Sequence, residues 1–169
     1  MIVILHNIRS LYNVGSIFRT ADTVEVSKIY LCGITPKPVD EFGWPREQLT
    51  KVSLGAEKYV EWEHCKSTAR LIDKLKKEKY KIFAIEQSKK SIPYYKTKCK
   101  EQISKIALVL GNEVNGLSQS ILSRADKILE IPMKGAMVRQ AHHPRRIGRG
   151  KESLNVSVVF GIIAFNLIN

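Results

Sequence analysis

Short apolar runs alternate with segments of helical spacing along this chain of 169 residues. The runs are brief and occupy residues 2–5, 28–32, 81–85, 106–110 and 127–131. Apolar positions three and four residues apart predict helices over residues 14–23, 46–54, 66–79, 118–125 and 153–169, the first of them capped by Asn13. Strands that alternate with helices form a mostly parallel sheet, so the pattern predicts one α/β domain over residues 1–169.

The balance of charged residues is strongly basic, because 28 Lys and Arg oppose 16 Asp and Glu and leave a net charge of +12. Such an excess favours polyanionic partners, with nucleic acid ahead of an acidic membrane surface. The longest apolar stretch, residues 154–168, is interrupted by polar residues and is shorter than the ~20 residues of a membrane span. The first residues lack a basic region and a cleavage site, so we expect a cytoplasmic protein without membrane contact.

The cysteine and histidine pattern indicates neither a disulfide framework nor a metal site. Cys32, Cys65 and Cys99 lie far apart and form no CxxC pair, so we expect reduced thiols. The neighbouring His142 and His143 lack further ligands at metal-binding spacing. We therefore expect no bound metal.

Three informative segments begin just where a predicted strand ends, which in a parallel sheet is the edge where ligands bind. The first, NIRSLYNVGSIFRTAD, brings amide and guanidinium donors suited to phosphate contact, namely Asn7, Arg9, Asn13 and Arg19. A capped surface helix with solvated arginines would explain the same residues.

The second and third segments are GNEVNGLS, which follows residues 106–110, and IPMKG with ESLNVSVVFGI, which flank residues 136–149. Glycines after a strand allow a ligand to approach the backbone closely, although a plain strand-to-helix turn needs them too. There is no GxGxxG and no GxxxxGK[ST], which excludes the dinucleotide and P-loop motifs. Ile131 and Met133 are candidates for apolar walls, and Ser153 is most simply a helix cap.

Taken together and in this order, the three segments resemble the three motifs of the SpoU (TrmH-type) RNA ribose 2'-O-methyltransferases of the SPOUT superfamily. The likeness covers nearly the whole chain. It implies a parallel sheet with a deep C-terminal trefoil knot, S-adenosylmethionine as methyl donor, transfer RNA or ribosomal RNA as substrate, and a homodimer with the active site near the interface. With no further domain before Met1, we expect a minimal member of the family.

The resemblance also implies roles for individual residues. The arginine that matches Arg19 is the proposed catalytic group of the family, and Arg19 joins Asn7 and Arg9 as a candidate for RNA binding. The positions that order the site and the substrate ribose correspond to Asn13, Glu113, Ser153 and Asn155. The cofactor-lining positions correspond to Leu110, Gly111, Asn112, Gly116, Ile131, Met133, Ser153 and Leu154.

The chain departs from the family between Gly135 and Ser153, where it carries roughly 14 extra residues at about 136–149. The extra segment contains four arginines and no acidic residue. Three interpretations remain open: a basic RNA-binding loop, a tolerated outward bulge, and an insertion that disables the cofactor site. The two candidate functions are therefore an active methyltransferase and an RNA-binding protein of the same fold whose methylation is weakened or lost.

Overall fold

The computed structural model describes residues 1–97, 102–112, 114–133 and 153–169. Seven strands form one sheet: β1 (Ile2–His6), β2 (Lys28–Cys32), β3 (Glu61–Cys65), β4 (Lys81–Ile85), β5 (Ile92–Pro93), β6 (Ile106–Leu110) and β7 (Lys127–Glu130). The helices are α1 (Leu11–Thr23), α2 (Glu47–Ser53), α3 (Thr68–Lys77), α4 (Gln119–Leu122) and α5 (Val156–Ile168). Every pairing is parallel and the strand order is β3-β2-β1-β6-β4-β7-β5, which confirms the predicted α/β architecture.

The central strands β1 and β6 are buried along almost their whole length because helices cover both faces of the sheet. On one face, α1, α2 and α5 form a core around Phe18 and Phe160. On the other face, α3 and α4 pack through Ile72, Leu75 and Ile121. The continuous apolar runs that predicted β1 and β6 follow from this burial on both faces.

Two strands were missed in the sequence, and each has a physical reason. Strand β3 is an edge strand with an alternating polar sequence, and it pairs only with β2. Its Glu61 and Glu63 carboxylates accept ion pairs from Lys28 at 2.7 and 2.9 Å, and these hydrogen bonds raise the pKa of Lys28. Strand β5 is two residues long, which is too short to leave a periodic signal.

Both predicted caps were wrong. The Ser10 hydroxyl caps α1 by accepting from the Asn13 N–H at 3.2 Å, so Asn13 lies inside the first turn. Helix α5 starts at Val156, and its cap is Asn155 rather than Ser153. The Asn155 Oδ1 accepts from the Ser157 N–H at 2.8 Å. Because Ser10 caps α1, the Asn13 side chain does not serve as the cap and accepts from the Nδ2 of Asn155.

Strand β7 lies between β4 and β5, although both of these precede it in the chain. The last strand of the sequence thus lies between two strands that precede it. Because β4 pairs with both β7 and β6, the three strands end at the same edge of the sheet. Residues 136–149 and Cys99 lie outside the described residues. Within the described part, no helix is both long enough and apolar enough to span a bilayer.

Cys32 and Cys65 lie opposite each other on β2 and β3 and are free thiols. Burial raises the pKa of the Cys32 thiol to about 12, so it stays protonated and unreactive at neutral pH. This agrees with the expectation of reduced cysteines for the two that the structure describes.

Candidate active site

A cavity of about 480 Å³ opens where the loops after β4, β6 and β7 meet the start of α5. The residues that the sequence motifs marked as cofactor-lining all face it: Leu110, Gly111, Asn112, Gly116, Ile131, Met133, Ser153 and Leu154. They come from three separate segments, residues 110–116, 131–133 and 153–154, and the parallel sheet brings them together because its strands end at one edge. Motifs two and three therefore form one site.

The turn after β6 brings two backbone segments into close contact. A Cβ on Gly111 would lie 2.7 Å from the Gly116 carbonyl carbon, so a larger residue would force the turn open. Gly116 itself has a left-handed φ of 59°, which favours glycine. The glycines therefore serve this close packing, and they leave the backbone of the turn exposed to the cavity.

Glu86, which the sequence analysis missed, braces the same turn from the other side of the cavity. Its Oε2 accepts from the Leu117 N–H at 2.8 Å, and its Oε1 accepts from the Gln87 N–H at 3.0 Å. The carboxylate fills the place that a Cβ on Gly116 would take. Glu86 directly follows the predicted strand 81–85, so the rule that located the three motifs would also have found it.

The charged side chains among the described lining residues are two carboxylates, Glu86 and Glu130. Glu130 accepts from the Ser91 hydroxyl at 2.7 Å. The described part of the lining is therefore acidic in a chain whose overall charge is +12. A ligand that carries positive charge is favoured there, and one that carries phosphate is not.

The Asn13 and Asn155 side chains, both predicted as site residues, contact each other. Neither is a lining residue of the larger cavity, but Asn155 lies between Leu154 and Val156, which are. The Asn155 Nδ2 donates to the Asn13 Oδ1 at 2.9 Å across 142 positions of sequence. The Asn155 Oδ1 at the same time accepts from the Ser157 N–H and hydroxyl. One amide thus caps α5 and ties it to the first turn of α1.

A second cavity, of about 320 Å³, lies beside the first and shares Asn112, Asn115 and Gly116 with it. Asn7 and Arg9, predicted as RNA-binding residues, are part of its wall. The remaining lining residues are His6, Ile34 and Ser118, and the sequence analysis singled out none of them. No sequence pattern groups these three residues, because they come from separate elements: the end of β1, the loop after β2 and the N-cap of α4.

His6 is held in one neutral form by its neighbours. The Ile34 N–H donates to the Asn7 Oδ1 at 3.1 Å, which turns the Asn7 Nδ2 toward the His6 Nε2 at 3.1 Å. Because an amide nitrogen only donates, Nε2 accepts, and the proton sits on Nδ1, which lies 2.7 Å from the Thr68 hydroxyl. Burial lowers the pKa of His6, which also favours the neutral ring.

Of the five predicted catalytic residues, Ser153 lines the larger cavity, whereas Asn13 and Asn155 are lining residues of neither cavity. Arg19 is exposed on α1 and lines neither cavity; at 1.5 Å per residue it lies roughly 13 Å along the helix from Ser10. Glu113 lies outside the described residues. The roles of both stay predictions.

The double role of the Asn155 amide can be separated by substitution. Asn155→Ser keeps a helix cap but is too short to reach Asn13, whereas Asn155→Ala removes both interactions. We expect Asn155→Ala to lower the free energy of unfolding by about 1 kcal/mol more than Asn155→Ser does, as measured by urea denaturation. Equal losses in the two variants would show that the cap contributes nothing.

The His6 network predicts a dependence of stability on pH. Because the pKa of His6 is lowered on folding, the unfolded chain binds more protons between that lowered value and the ordinary value of 6.5. The free energy of unfolding should therefore fall as pH decreases below about 6.5. We expect His6→Gln, whose carbonyl oxygen can still accept from Asn7, to reduce this slope in thermal melts.

The matched control is His64→Gln, at an exposed histidine whose Nε2 lies 3.0 Å from the Gly33 carbonyl. It should leave the slope in place. A wild-type slope in His6→Gln would contradict the neutral His6 network.

Comparison with known proteins gives consistent relatives. The sequence profile of the SpoU rRNA Methylase family matches residues 1–165. The tRNA (guanosine(18)-2'-O)-methyltransferase of Aquifex aeolicus (strain VF5) is 29% identical over 165 residues, which are 98% of this chain and 67% of that protein. The chain spans between about half and two thirds of the length of the curated relatives it matches.

Solved structures agree with this assignment. The A. aeolicus TrmH/SpoU tRNA modifying enzyme aligns with a TM-score of 0.74 and 28% identity, over 98% of this chain and 72% of that one. The AdoMet-bound rRNA methyltransferase from Sinorhizobium meliloti aligns with a TM-score of 0.73 and 24% identity, over 98% of this chain and 54% of that one, and shares its fold. The fold is the knotted SPOUT fold predicted from the motifs. With its family profile matched over residues 1–165, the chain belongs to the SpoU rRNA Methylase family.

Proposed function

We propose that this protein uses S-adenosylmethionine to methylate a ribose 2'-hydroxyl of transfer RNA or ribosomal RNA. The observation that supports this most is the convergence of motifs two and three on one cavity. Membership of the SpoU family and the tRNA and rRNA named for its relatives agree with the proposal.

The residues of the larger cavity fit this cofactor. S-adenosylmethionine carries a sulfonium and an ammonium, and the carboxylates of Glu86 and Glu130 suit such positive charge. The apolar side chains of Leu110, Ile131 and Leu154 provide walls for an adenine ring. A phosphate-bearing cofactor would meet two carboxylates and no described cation in the lining.

The bound cofactor supplies an already activated methyl group, so the protein has to align the ribose oxygen with it and assist loss of the hydroxyl proton. Asn155 lies between Leu154 and Val156, which line the cavity, and its amide is linked to that of Asn13; we assign the pair to orienting the ribose. Ser153 lines the same cavity and offers a hydroxyl. Arg19 is assigned to stabilise charge during transfer, since an arginine is a poor base with a pKa above about 12.

A homodimer would explain why Arg19 lies outside the cavities of its own chain. Helix α5 exposes an apolar stripe of Val158, Phe165 and Ile168 at spacings that place all three on one face. This face adjoins α1, because a Cβ on Gly161 of α5 would lie 3.9 Å from the Thr20 methyl of α1. A second copy seated on the stripe would bring its own α1, and therefore its Arg19, toward this chain's cavity.

The proposed activity is tested with tritiated S-adenosylmethionine and unfractionated transfer and ribosomal RNA. We expect methyl incorporation by the wild type and a loss of roughly 10²-fold or more in Arg19→Ala, the scale of losing one transition-state donor. Calorimetry should show unchanged cofactor affinity in that variant. Cofactor binding without methyl transfer in the wild type would contradict the proposed activity.

Arg19 action across the dimer is tested by co-expressing two inactive variants with different tags. Met133→Arg places a long cation in the cavity wall and should abolish cofactor binding, while it leaves Arg19 intact. Mixed dimers with Arg19→Ala then hold one complete site and should recover part of the activity. No recovery in the mixed dimers would place Arg19 in its own subunit's site.

The alternative function, RNA binding without methylation, is favoured by one observation in the sequence. The extra residues 136–149 separate Met133 from Ser153, and both line the cofactor cavity. A displacement of about 1 Å in such a site can cost 10²-fold in rate.

Deleting residues 136–149 separates the two functions. We expect the deletion to bind S-adenosylmethionine more tightly in calorimetry, and RNA modestly more weakly and with a smaller salt dependence. The control is the full chain with Arg139, Arg145, Arg146 and Arg149 changed to Gln, which removes the charge but keeps the length. Weaker cofactor binding by the deletion would make the insertion an integral part of the site.

A further inference from the structure

We propose that the second cavity binds one nucleotide of the substrate RNA, with its phosphate on Arg9 and its base against Ile34. This inference rests on the proposed function and adds to it a place where the RNA is held. The cavity measures about 320 Å³, within the range of roughly 300–1,000 Å³ for small-ligand sites.

Arg9 is the charged residue among the described lining residues of this cavity. The wall combines its guanidinium with an imidazole, amides and a hydroxyl, and no carboxylate belongs to the described lining. Across the described parts of the chain, the exposed Arg9 side chain has no hydrogen-bond or ion-pair partner. Its planar fork matches two phosphate oxygens, which makes an anion the fitting occupant. The larger cavity, lined by Glu86 and Glu130, has the opposite charge preference.

The polar wall behind Arg9 is held in place before any ligand arrives. The Asn112 Nδ2 donates to the Asn7 carbonyl at 2.8 Å, and the Asn7 side chain bridges the Ile34 N–H and His6. Asn7 sits at a left-handed φ of 56°, a conformation that asparagine tolerates better than most residues. A wall built in this way loses little conformational entropy on binding.

Ile34 provides the apolar surface that a base requires. Its backbone is fixed by the hydrogen bond to Asn7, yet 59% of the residue is exposed at the edge of the cavity. Ser118 and Asn115 lie on the same wall, and their hydroxyl and amide can pair with groups on the edge of a base. A guanidinium for the phosphate, an apolar surface for the base and hydrogen-bonding groups for its edge thus occur in one cavity, as nucleotide binding requires.

The position of the cavity argues for RNA as the source of that nucleotide. The two cavities share Asn112, Asn115 and Gly116, so their occupants are separated by a single turn of chain. A strand of RNA that presents a ribose to the methyl group must pass beside the cofactor. The second cavity is one of the surfaces next to it, and it has the charge to hold a neighbouring nucleotide.

The test uses guanosine and uridine 5'-monophosphate as probes, with the larger cavity saturated by S-adenosylhomocysteine. Calorimetry first measures binding of S-adenosylhomocysteine, and its absence would count against the proposed function rather than against this cavity. NMR titration of the labelled protein should then shift the backbone amides of Asn7, Arg9, Asn115 and Ser118. Arg9→Ala should weaken nucleotide binding by about tenfold or more, with the affinity for S-adenosylhomocysteine unchanged.

Arg70→Ala is the matched control, because Arg70 is an exposed arginine on α3 that lines neither cavity. It should leave nucleotide affinity within about twofold, which is less than 0.5 kcal/mol. Three results would overturn the proposal. They are no binding up to about 10 mM nucleotide, equal losses in Arg9→Ala and Arg70→Ala, and inorganic phosphate binding as tightly as the nucleotides.

Discussion

The buried amide of Asn112 holds together the two loops on which the candidate site depends. Its Nδ2 donates to the Asn7 carbonyl at 2.8 Å, and its Oδ1 accepts from the N–H groups of Val114 and Asn115. Only 7% of the residue is exposed, so an unpaired group there would cost roughly 1–3 kcal/mol. Because β1 and β6 are adjacent and parallel, the loops that follow them start side by side. The short Asn112 side chain can therefore form hydrogen bonds with the backbone of both loops.

The third motif reaches the same place by a different route. Strand β7 enters the sheet between two earlier strands, and the chain then returns as α5 beside α1. The hydrogen bond from Asn155 to Asn13 ties the N-cap of α5 to the first turn of α1. The knotted order of the chain therefore brings a late segment against an early one, next to residues that line the larger cavity.

The distribution of charge separates two tasks in one small domain. The net charge of +12 attracts a polyanion to the surface in general. In the described lining of the larger cavity, by contrast, the charged side chains are the carboxylates of Glu86 and Glu130. Glu86 contributes to both the charge and the shape of that cavity, since it braces the Gly116–Leu117 backbone. A cationic cofactor and an anionic substrate can thus be bound side by side without competing for one site.

The sequence alone determined the strands β1, β2, β4, β6 and β7, the approximate helices, and the three motifs at the carboxyl edge of the sheet. These features are local, since burial on both faces of a sheet or on one face of a helix leaves a period within a few residues. Through the family resemblance of the motifs, it also singled out residues that line the larger cavity.

Only the tertiary structure decided which side chains meet. The hydrogen bonds Asn13–Asn155, His6–Thr68 and Glu86–Leu117 join residues far apart in the chain, and no periodicity encodes such pairs. The edge strand β3 was missed for a related reason, because its stability comes from Lys28 on the neighbouring strand rather than from its own apolar residues. Arg19 shows the same limit: its motif marked it as part of the site, yet the rise of α1 carries it away from both cavities of its own chain.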